Sequence, residues 1–215
     1  MPKRTIAIGD IHGCDKALAA VLGAIEPGPD DTIIPLGDFI DRGPDSRGVI
    51  DRLIALGDEC RVIPLLGNHE IMMLQAMDGN DEFWRACGGQ ETIDSYGGDL
   101  ANVPEQHERF LRRLRMYYED RENIFVHANY DERLPMERQP KHVALWYHLH
   151  ERQPPAHCSG KTAFVGHTPQ RDGEVLDLDH LVCIDTFVVG GGYLTAMEVN
   201  TRQIWQADRE GRMRT

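Results

Sequence analysis

Short apolar runs alternate with polar, glycine-containing cassettes over the first 70 residues of the chain. Three of these runs have the length and continuity of buried strands, at residues 5–8, 32–36 and 62–66. Each run leads directly into a cassette: GDIHG at 9–13, GDFIDRG at 37–43 and GNHE at 67–70. The pattern therefore predicts three strands, each with a polar loop at its carboxyl end.

Helical periodicity fills the segments between the strands. Apolar residues recur at helical spacing within 17–25 and within 49–54, and Asp45 or Ser46 suits the N-cap of the second helix. The resulting βαβαβ order predicts a parallel sheet with helices on its faces, because such crossovers are right-handed. Residues 71–114 are also helical in pattern and predict a small helical cap over about 71–116.

An arginine cluster stands near the end of the predicted cap, at positions 109, 112, 113 and 115. A cluster of this kind permits a phosphate-binding interpretation. We favour a solvated helix face instead, because runs of charged residues usually lie outside.

The second half of the chain returns to strand patterns. Residues 124–126 lead into His127, residues 163–165 lead into His167, and residues 174–206 alternate short β-rich runs with turns. We interpret this last region as antiparallel strands of a second sheet. The predicted fold is α/β, a four-layer α/β/β/α sandwich of two mixed β-sheets flanked by helices. One domain over residues 1–215 is expected, because the chain can bury one sizeable core.

The polar residues of the cassettes share the ligand chemistry of divalent metal ions. In open α/β sheets ligands bind at the carboxyl ends of the strands, so residues far apart in sequence can converge there. Carboxylate, imidazole and amide groups suit manganese, iron or zinc held for hydrolysis. The residues expected to converge are Asp10, His12, Asp38, Asp41, Arg42, Asn68, His69, Glu70, His127 and His167.

Two ions that share a carboxylate can hold a bridging water and lower its pKa toward about 7. Asp38 is the expected bridge. The remaining ligands are expected to be Asp10 and His12 for the first ion, and Asn68, His127 and His167 for the second.

Proton transfer and phosphate binding are assigned to the neighbouring residues. His69 remains free to protonate a leaving alkoxide, and Asp41 is the carboxylate expected to fix its tautomer. Arg42 is expected to hold phosphate oxygens with its planar guanidinium group.

Composition limits the partners and the compartment. The formal net charge of −12 would repel nucleic-acid phosphates, so we expect no nucleic-acid partner. The first residues contain neither an apolar signal region nor a cleavage site, and five cysteines without a CxxC pair suit reduced thiols. We therefore expect a cytoplasmic protein without a membrane segment, whose oligomeric state the sequence does not fix.

The cassettes together resemble the PPP family of metal-dependent serine/threonine protein phosphatases, part of the calcineurin-like metallophosphoesterase superfamily, and especially its compact bacterial and phage members. The resemblance rests on GDxHG, GDxxDRG and GNHE, on VHAN at His127 and on GHTP at His167. It extends to IDT at 184–186 and GGGYLT at 190–195. It implies the ligand set given above, two divalent ions with manganese first and iron or zinc as alternatives, and the metallophosphoesterase fold.

The expected function is that of a metal-dependent phosphomonoesterase whose partner is a phosphorylated protein or a small phosphoester. A phosphoprotein phosphatase for phosphoserine and phosphothreonine comes first, with phosphotyrosine as a further candidate. The main alternative hydrolyses diadenosine tetraphosphate on the same fold. That class resembles GNHD at the third cassette and lacks the acidic residue before the arginine, whereas this chain has Glu70 and Asp41. A phosphoprotein-binding scaffold is the non-enzymatic alternative, and the filled ligand positions argue against it.

One departure from the family pattern affects the expected substrate contacts. Compact members resembling this chain have an LWxR element that supplies a second phosphate-binding arginine, whereas this chain reads LWYH at 145–148. His148 therefore stands beside Arg42 and Asn68 as an expected substrate contact. The alternative is that His148 packs within a helix over 141–150 and that Arg152 or a cap arginine reaches the site.

Overall fold

Two five-stranded β-sheets form the centre of the fold in the computed structural model, which describes residues 3–79 and 81–215. The first sheet has the order β10-β9-β1-β2-β3. Strands β1, β2 and β3 are parallel, and β9 and β10 are antiparallel to their neighbours. Their bounds are β1 Thr5–Ile8, β2 Thr32–Pro35, β3 Arg61–Val62, β9 Leu194–Glu198 and β10 Ile204–Ala207.

The second sheet has the order β4-β5-β6-β8-β7. Strands β5, β6 and β8 are parallel to one another, and β4 and β7 pair antiparallel at the two edges. The bounds are β4 Tyr117–Glu119, β5 Asn123–Val126, β6 Thr162–Val165, β7 Leu176–Asp177 and β8 Leu181–Cys183.

Seven α-helices connect or cover these strands in the described residues. Helix α2 begins after Asp45, whose Oδ1 accepts the Gly48 N–H at 2.8 Å, so one of the two predicted caps is used. A π-helical turn, Arg85–Gly89, joins α4 to α5. The bounds are α1 Asp15–Ile25, α2 Ser46–Leu56, α3 Asn68–Met77, α4 Glu82–Trp84, α5 Gln90–Ser95, α6 Glu105–Leu111 and α7 Lys141–Trp146.

Alternation along the strands divides the core into three apolar layers. On β1, Ile6 and Ile8 face helices α1 and α2, while Ala7 faces the second sheet. On β5, Phe125 faces the first sheet and Ile124 faces the opposite side, where Ala144 of α7 packs. The predicted four-layer sandwich of two mixed sheets flanked by helices is confirmed. The single domain and the cap stay predictions, and residues 1, 2 and 80 within them lie outside the described part of the chain.

Three predicted element assignments were wrong in detail. Strand β3 spans Arg61–Val62 rather than residues 62–66, although the N–H groups of Ile63 and Leu65 still donate to the carbonyl oxygens of Ile33 and Pro35. The strands in 174–206 do not form one antiparallel sheet. Strands β7 and β8 join β6 in the second sheet, whereas β9 and β10 join β1 in the first. The helix expected over 141–150 ends at Trp146, since Tyr147 adopts extended backbone.

A buried histidine ties the α6 region to α2. His107, which sequence analysis gave no structural role, is only 2% exposed. Its Nδ1 lies 2.8 Å from the Tyr96 hydroxyl and its Nε2 lies 2.8 Å from Asp51 Oδ1. The imidazole therefore joins α6 to the end of α5 and to α2, which lies far away in the sequence.

Two further properties follow from the described residues. None of their helices has both the length and the apolar character needed to cross a bilayer. All five cysteines are free thiols, as their number and spacing predicted.

Replacing His107 by Ala should lower the free energy of unfolding by about 1–3 kcal/mol, because it leaves the buried Tyr96 hydroxyl without a partner. Urea unfolding measures the loss, and His142→Ala, at an exposed position, is the matched control. A double-mutant cycle with Tyr96→Phe isolates the bond. A coupling energy of zero would contradict the proposed tie.

Candidate active site

The carboxyl ends of the parallel strands of both sheets meet at one edge of the sandwich. A cavity of about 250 Å³ opens there. Its polar lining consists of Asp38, Arg42, Asn68, His69, His148 and His167. Its other lining residues are Met72, Cys87, Trp146 and Pro169. Residues of the second and third cassettes thus share one cavity with His148 and His167.

The loops that carry these residues have unusual backbone conformations. Five non-glycine residues of the candidate site have positive φ angles: His12 (45°), Asp38 (51°), Asp41 (73°), Arg42 (66°) and His167 (62°). Each such residue costs about 1–3 kcal/mol and persists only where the surrounding structure holds it. The strain is concentrated on the residues whose side chains face the site.

Glycines allow two carboxylates to approach the backbone closely. A Cβ atom at Gly67 would lie 2.2 Å from Asp38 Oδ1, and one at Gly166 would lie 2.0 Å from Asp10 Oδ1. Any side chain at either position would displace the carboxylate. The glycines of the GNHE and GHTP motifs therefore make room for the two aspartates.

One group of ligand atoms surrounds His127. Its Nε2 lies 3.0 Å from Asn68 Oδ1, 3.2 Å from His167 Nδ1 and 3.4 Å from Asp38 Oδ1. Asn68 begins α3, while His127 and His167 follow β5 and β6. The structure therefore brings together the four residues expected for the second ion, and all four are buried.

A second group surrounds the other oxygen of Asp38. His12 Nε2 lies 3.7 Å from Asp38 Oδ2, and His69 Nε2 lies 3.9 Å from the same atom. Asp10 is not among the residues whose ligand atoms lie within 4.8 Å of one another, whereas His69 is. The Asp10 carboxylate instead accepts the backbone N–H of His167 at 3.0 Å. The structure thus brings together two of the three expected first-ion ligands, His12 and Asp38, and adds His69 to them.

Hydrogen bonds fix the tautomers of two histidines. His12 Nδ1 lies 2.9 Å from the Ile40 carbonyl oxygen, and His127 Nδ1 lies 2.9 Å from that of Leu36. A carbonyl oxygen can only accept, so each Nδ1 carries the hydrogen and each Nε2 of the neutral ring keeps a lone pair that a metal ion could use. This is the outer-shell arrangement of metal-binding histidines.

Burial keeps these imidazoles neutral. It lowers the pKa of His12 and of His167 to about 3, and it lowers the pKa of His127 as well. His167 Nε2 is buried without a hydrogen-bond partner among the described residues. Neutral imidazoles beside carboxylate and amide oxygens form a donor set that fits divalent ions.

Three carboxylates are buried close together at this edge. Burial raises the pKa of Asp10 well above its ordinary value, and Asp185 and Asp38 raise it further. Burial likewise raises the pKa of Asp185 to about 7. Burial acts in the same direction on Asp38, but the positive charge that the surrounding imidazoles carry at acidic pH outweighs it and brings that pKa below its ordinary value. Burial thus penalises the ionised form of Asp10 and Asp185, and a bound cation would stabilise that form.

His69 and Asp41 form a short contact. His69 Nδ1 lies 2.6 Å from Asp41 Oδ2, and both side chains are almost fully buried. Burial lowers the pKa of His69, but the Asp38 and Asp41 carboxylates outweigh burial, so the pKa lies above its ordinary value. The Asp41 carboxylate also accepts Trp84 Nε1–H at 2.7 Å and the Thr92 hydroxyl at 2.6 Å. Trp84 and Thr92 therefore each fix one oxygen of the Asp41 carboxylate.

The Glu70 carboxylate hydrogen-bonds to backbone N–H groups and does not line the cavity. Its carboxylate accepts the N–H groups of Asp38 (3.0 Å), Phe39 (2.7 Å) and Gly67 (2.9 Å), and Glu70 is fully buried. Glu70 of the third cassette thus fixes the backbone of the loop that carries the second cassette. This contact also closes the N-terminal turn of α3.

Arg42 and His148 occupy the cavity wall. Arg42 is exposed, its Nη1 lies 2.9 Å from His12 Nε2, and its Nε donates to the Cys87 carbonyl at 3.4 Å. The His148 ring stacks on that of His167 with centroids 4.2 Å apart. The structure therefore brings His148 to the site, whereas Arg152 pairs with Glu132 at 2.5 Å.

Sequence reasoning missed three residues of the site. Trp84 and Thr92 lie in the region predicted as the helical cap, where no sequence signal indicated that their side chains would bond to Asp41. Asp185 joins the buried carboxylates. It could have been found, because it follows a β-rich run and lies in the IDT segment.

Comparison with known proteins indicates the family to which the chain is related. The protein-family model described as calcineurin-like phosphoesterase matches residues 3–100. The symmetrical bis(5'-nucleosyl)-tetraphosphatase of Acidovorax ebreus is 48% identical over 128 residues, which are 56% of this chain and 42% of that protein. Serine/threonine-protein phosphatase 1 of Salmonella typhimurium is 30% identical over 200 residues, which are 89% of this chain and 90% of that protein.

A solved structure provisionally assigned as a diadenosine tetraphosphatase superimposes with a TM-score of 0.71 at 23% identity, over 95% of this chain and 92% of that one. Identity at this level shows the fold alone. The aligned part of this chain spans less than half of the length of the Acidovorax tetraphosphatases, at 42% and 25%, but nearly all of the length of the Salmonella phosphatase. Taken together with the matched family model, that near-complete alignment shows that the chain belongs to the calcineurin-like phosphoesterase family.

Proposed function

We propose that this chain is a metal-dependent phosphohydrolase whose substrate is a symmetrical dinucleoside tetraphosphate such as diadenosine tetraphosphate. The observation that carries this choice is the 48% identity to the tetraphosphatase of Acidovorax ebreus over 128 residues. The choice reverses the order of the two candidates in the sequence analysis, where the phosphoprotein came first.

Glu70 and Asp41 had favoured a phosphoprotein substrate in the sequence analysis, but their positions in the structure do not discriminate between the two substrates. Glu70 is buried and bonds to backbone N–H groups of three residues, so the fourth position of the GNHE cassette acts on loop structure. Asp41 has no exposed surface and acts through His69. Neither side chain touches the space where a substrate would bind.

A phosphoprotein phosphatase is the second candidate, and two observations favour it. The Salmonella phosphatase matches along 90% of its length, although at only 30% identity. The buried His69–Asp41 pair also suits a serine alkoxide, a poor leaving group that needs a proton. A nucleoside diphosphate leaves without that help, so the pair is more useful to a phosphomonoesterase.

The donor set supports a dinuclear centre in either case. Asp10, His12 and Asp38 would hold one ion, and the second would be held by Asp38, Asn68, His127 and His167. Manganese is the first choice, with iron and zinc as alternatives. Divalent ions at such a centre supply Lewis acidity for phosphoester hydrolysis.

The remaining residues bind and position the substrate. The guanidinium of Arg42 has no carboxylate partner within 4.0 Å among the described residues, so it is free to bind phosphate oxygens. His148 lines the same cavity but offers a single donor at most. His69 holds the proton at Nε2, because Asp41 accepts from Nδ1 when the ring is charged.

The substrate assay compares turnover of manganese-loaded protein on diadenosine tetraphosphate and on phosphoserine, phosphothreonine and phosphotyrosine peptides. We expect kcat/KM for the dinucleotide to exceed that for every peptide by about tenfold or more, which equals about 1.4 kcal/mol of transition-state stabilisation. A reversed order would establish the second candidate. Binding of phosphopeptide with no turnover of any substrate would establish the scaffold.

Asp38→Asn should weaken both ions together, because this carboxylate has one oxygen in each group of ligand atoms. Metal analysis after gel filtration should give a loss of both ions, whereas Asp10→Asn should affect chiefly one. Two tightly bound ions in Asp38→Asn would show that Asp38 is not shared.

His69→Asn should slow hydrolysis of an alkyl phosphate by about 10²–10⁴-fold and affect an aryl phosphate much less, because only the alkoxide needs protonation. Since the carboxylates raise the pKa of His69, the acid form persists above the ordinary range, and wild-type turnover of the alkyl ester should fall as pH rises through that pKa. If hydrolysis of the two esters slows by the same factor while the metal content is unchanged, His69 has only a structural role.

His148→Arg should lower KM by restoring a planar two-donor group, and His148→Ala should raise it, with kcat changed less than KM. Initial rates over a substrate series measure both constants. Arg152→Ala is the control, because Arg152 pairs with Glu132 outside the cavity. If both His148 variants keep the wild-type KM, His148 does not contact the substrate.

A further inference from the structure

A cavity of about 620 Å³ lies apart from the candidate active site, between α2, β3 and α6. It shares no lining residue with the active-site cavity. Its lining residues are Leu53, Ile54, Gly57, Val62, Pro64, Gln106, Arg109, Phe110, Arg113 and Arg115. We call this cavity the arginine groove.

The floor of the arginine groove is apolar. Ile54, Val62 and Phe110 line it and are only half-buried, so part of each side chain remains accessible. The Phe110 ring packs against the buried Phe39 at a centroid distance of 6.2 Å, which fixes its position. The floor is therefore a firm apolar surface that a ligand side chain can cover.

The rim carries three exposed guanidinium groups. Arg109 lies in the last turn of α6, Arg113 in the turn that follows and Arg115 beside β3. Arg109 has two long contacts with the exposed Glu105, 3.6 Å to its carboxylate and 3.4 Å to its backbone carbonyl oxygen. Within the described part of the chain, no carboxylate lies within 4.0 Å of the other two. In a chain of net charge −12, this rim is a local site for an acidic ligand.

The groove also exposes a strand edge. The N–H groups of residues 61, 63 and 65 donate to β2, so by alternation the N–H and C=O of Val62 point away from β2. Farther along, Arg115 covers this edge through two backbone bonds, with Pro64 (3.3 Å) and with Leu66 (2.8 Å). The open part of the edge lies at the groove and can pair with an extended backbone.

We propose that the arginine groove binds an extended acidic segment of a partner protein. Such a segment adds its backbone beside Val62, places an apolar side chain on Ile54 and Phe110, and directs carboxylates to the arginines. A peptide fits better than a nucleotide. The three arginines are spread along the rim, and Gln106 is the one uncharged polar side chain among the groove residues, which gives a base edge little to bond with.

The probe is a fluorescein-labelled peptide of alternating Glu and Val residues, with binding measured by fluorescence anisotropy on the full chain. Arg113→Glu should weaken binding by about tenfold. Arg112→Glu is the matched control, because it makes the same charge change one residue away, at a side chain that bonds Glu108 at 2.7 Å and does not line the groove. Circular dichroism confirms that both variants fold.

Two peptide variants test the other contacts without altering the protein. Replacement of every Val of the peptide by Ser should abolish binding, because it removes the apolar contacts with the floor of the groove. N-methylation of the peptide backbone should weaken binding, because it removes the N–H groups that pair with the strand edge. Equal affinities in Arg112→Glu and Arg113→Glu, equal binding of a Lys/Val peptide, or no effect of N-methylation would each overturn the proposal. Arg113-dependent binding of ADP without peptide binding would overturn it in favour of a nucleotide site.

Discussion

The burial of one carboxylate among imidazoles is the condition on which the rest of the site depends. Asp38 is 2% exposed, and the rings of His12, His69 and His127 lie within 4 Å of it. Removing a charged carboxylate from water is unfavourable unless partners compensate it. The sandwich supplies those partners from both sheets, so the site exists only where the two sheets meet.

The strained loops and the glycines serve this same requirement. A residue with positive φ turns its side chain back toward the strand end, and a glycine opposite leaves room for it. The backbone therefore positions these side chains before any ligand arrives. Preorganisation of this kind lowers the reorganisation that hydrolysis would require.

Sequence patterns predicted the parts of the structure that depend on local order. Strands followed by polar cassettes predicted the convergence of Asp10, Asp38 and His127, because parallel strands end at the same edge. The pattern did not predict which sheet β9 joins. The alternation of apolar and polar residues along a strand contains no information about the strand that pairs with it. The burial of His107 was also missed. Its helix is short, and its partners come from segments elsewhere in the chain.

The pairing of β9 with β1 has a consequence for how the chain folds. Ile8 lies opposite Ala196, so the middle of the first sheet joins segments at far separated positions in the sequence. Contacts of such separation carry a large loop-closure entropy and slow folding. During synthesis, the segment 5–8 must wait with one edge unpaired until residues 194–198 have left the ribosome. Strand β1 is thus made long before its partner β9, and until then its open edge needs protection from aggregation.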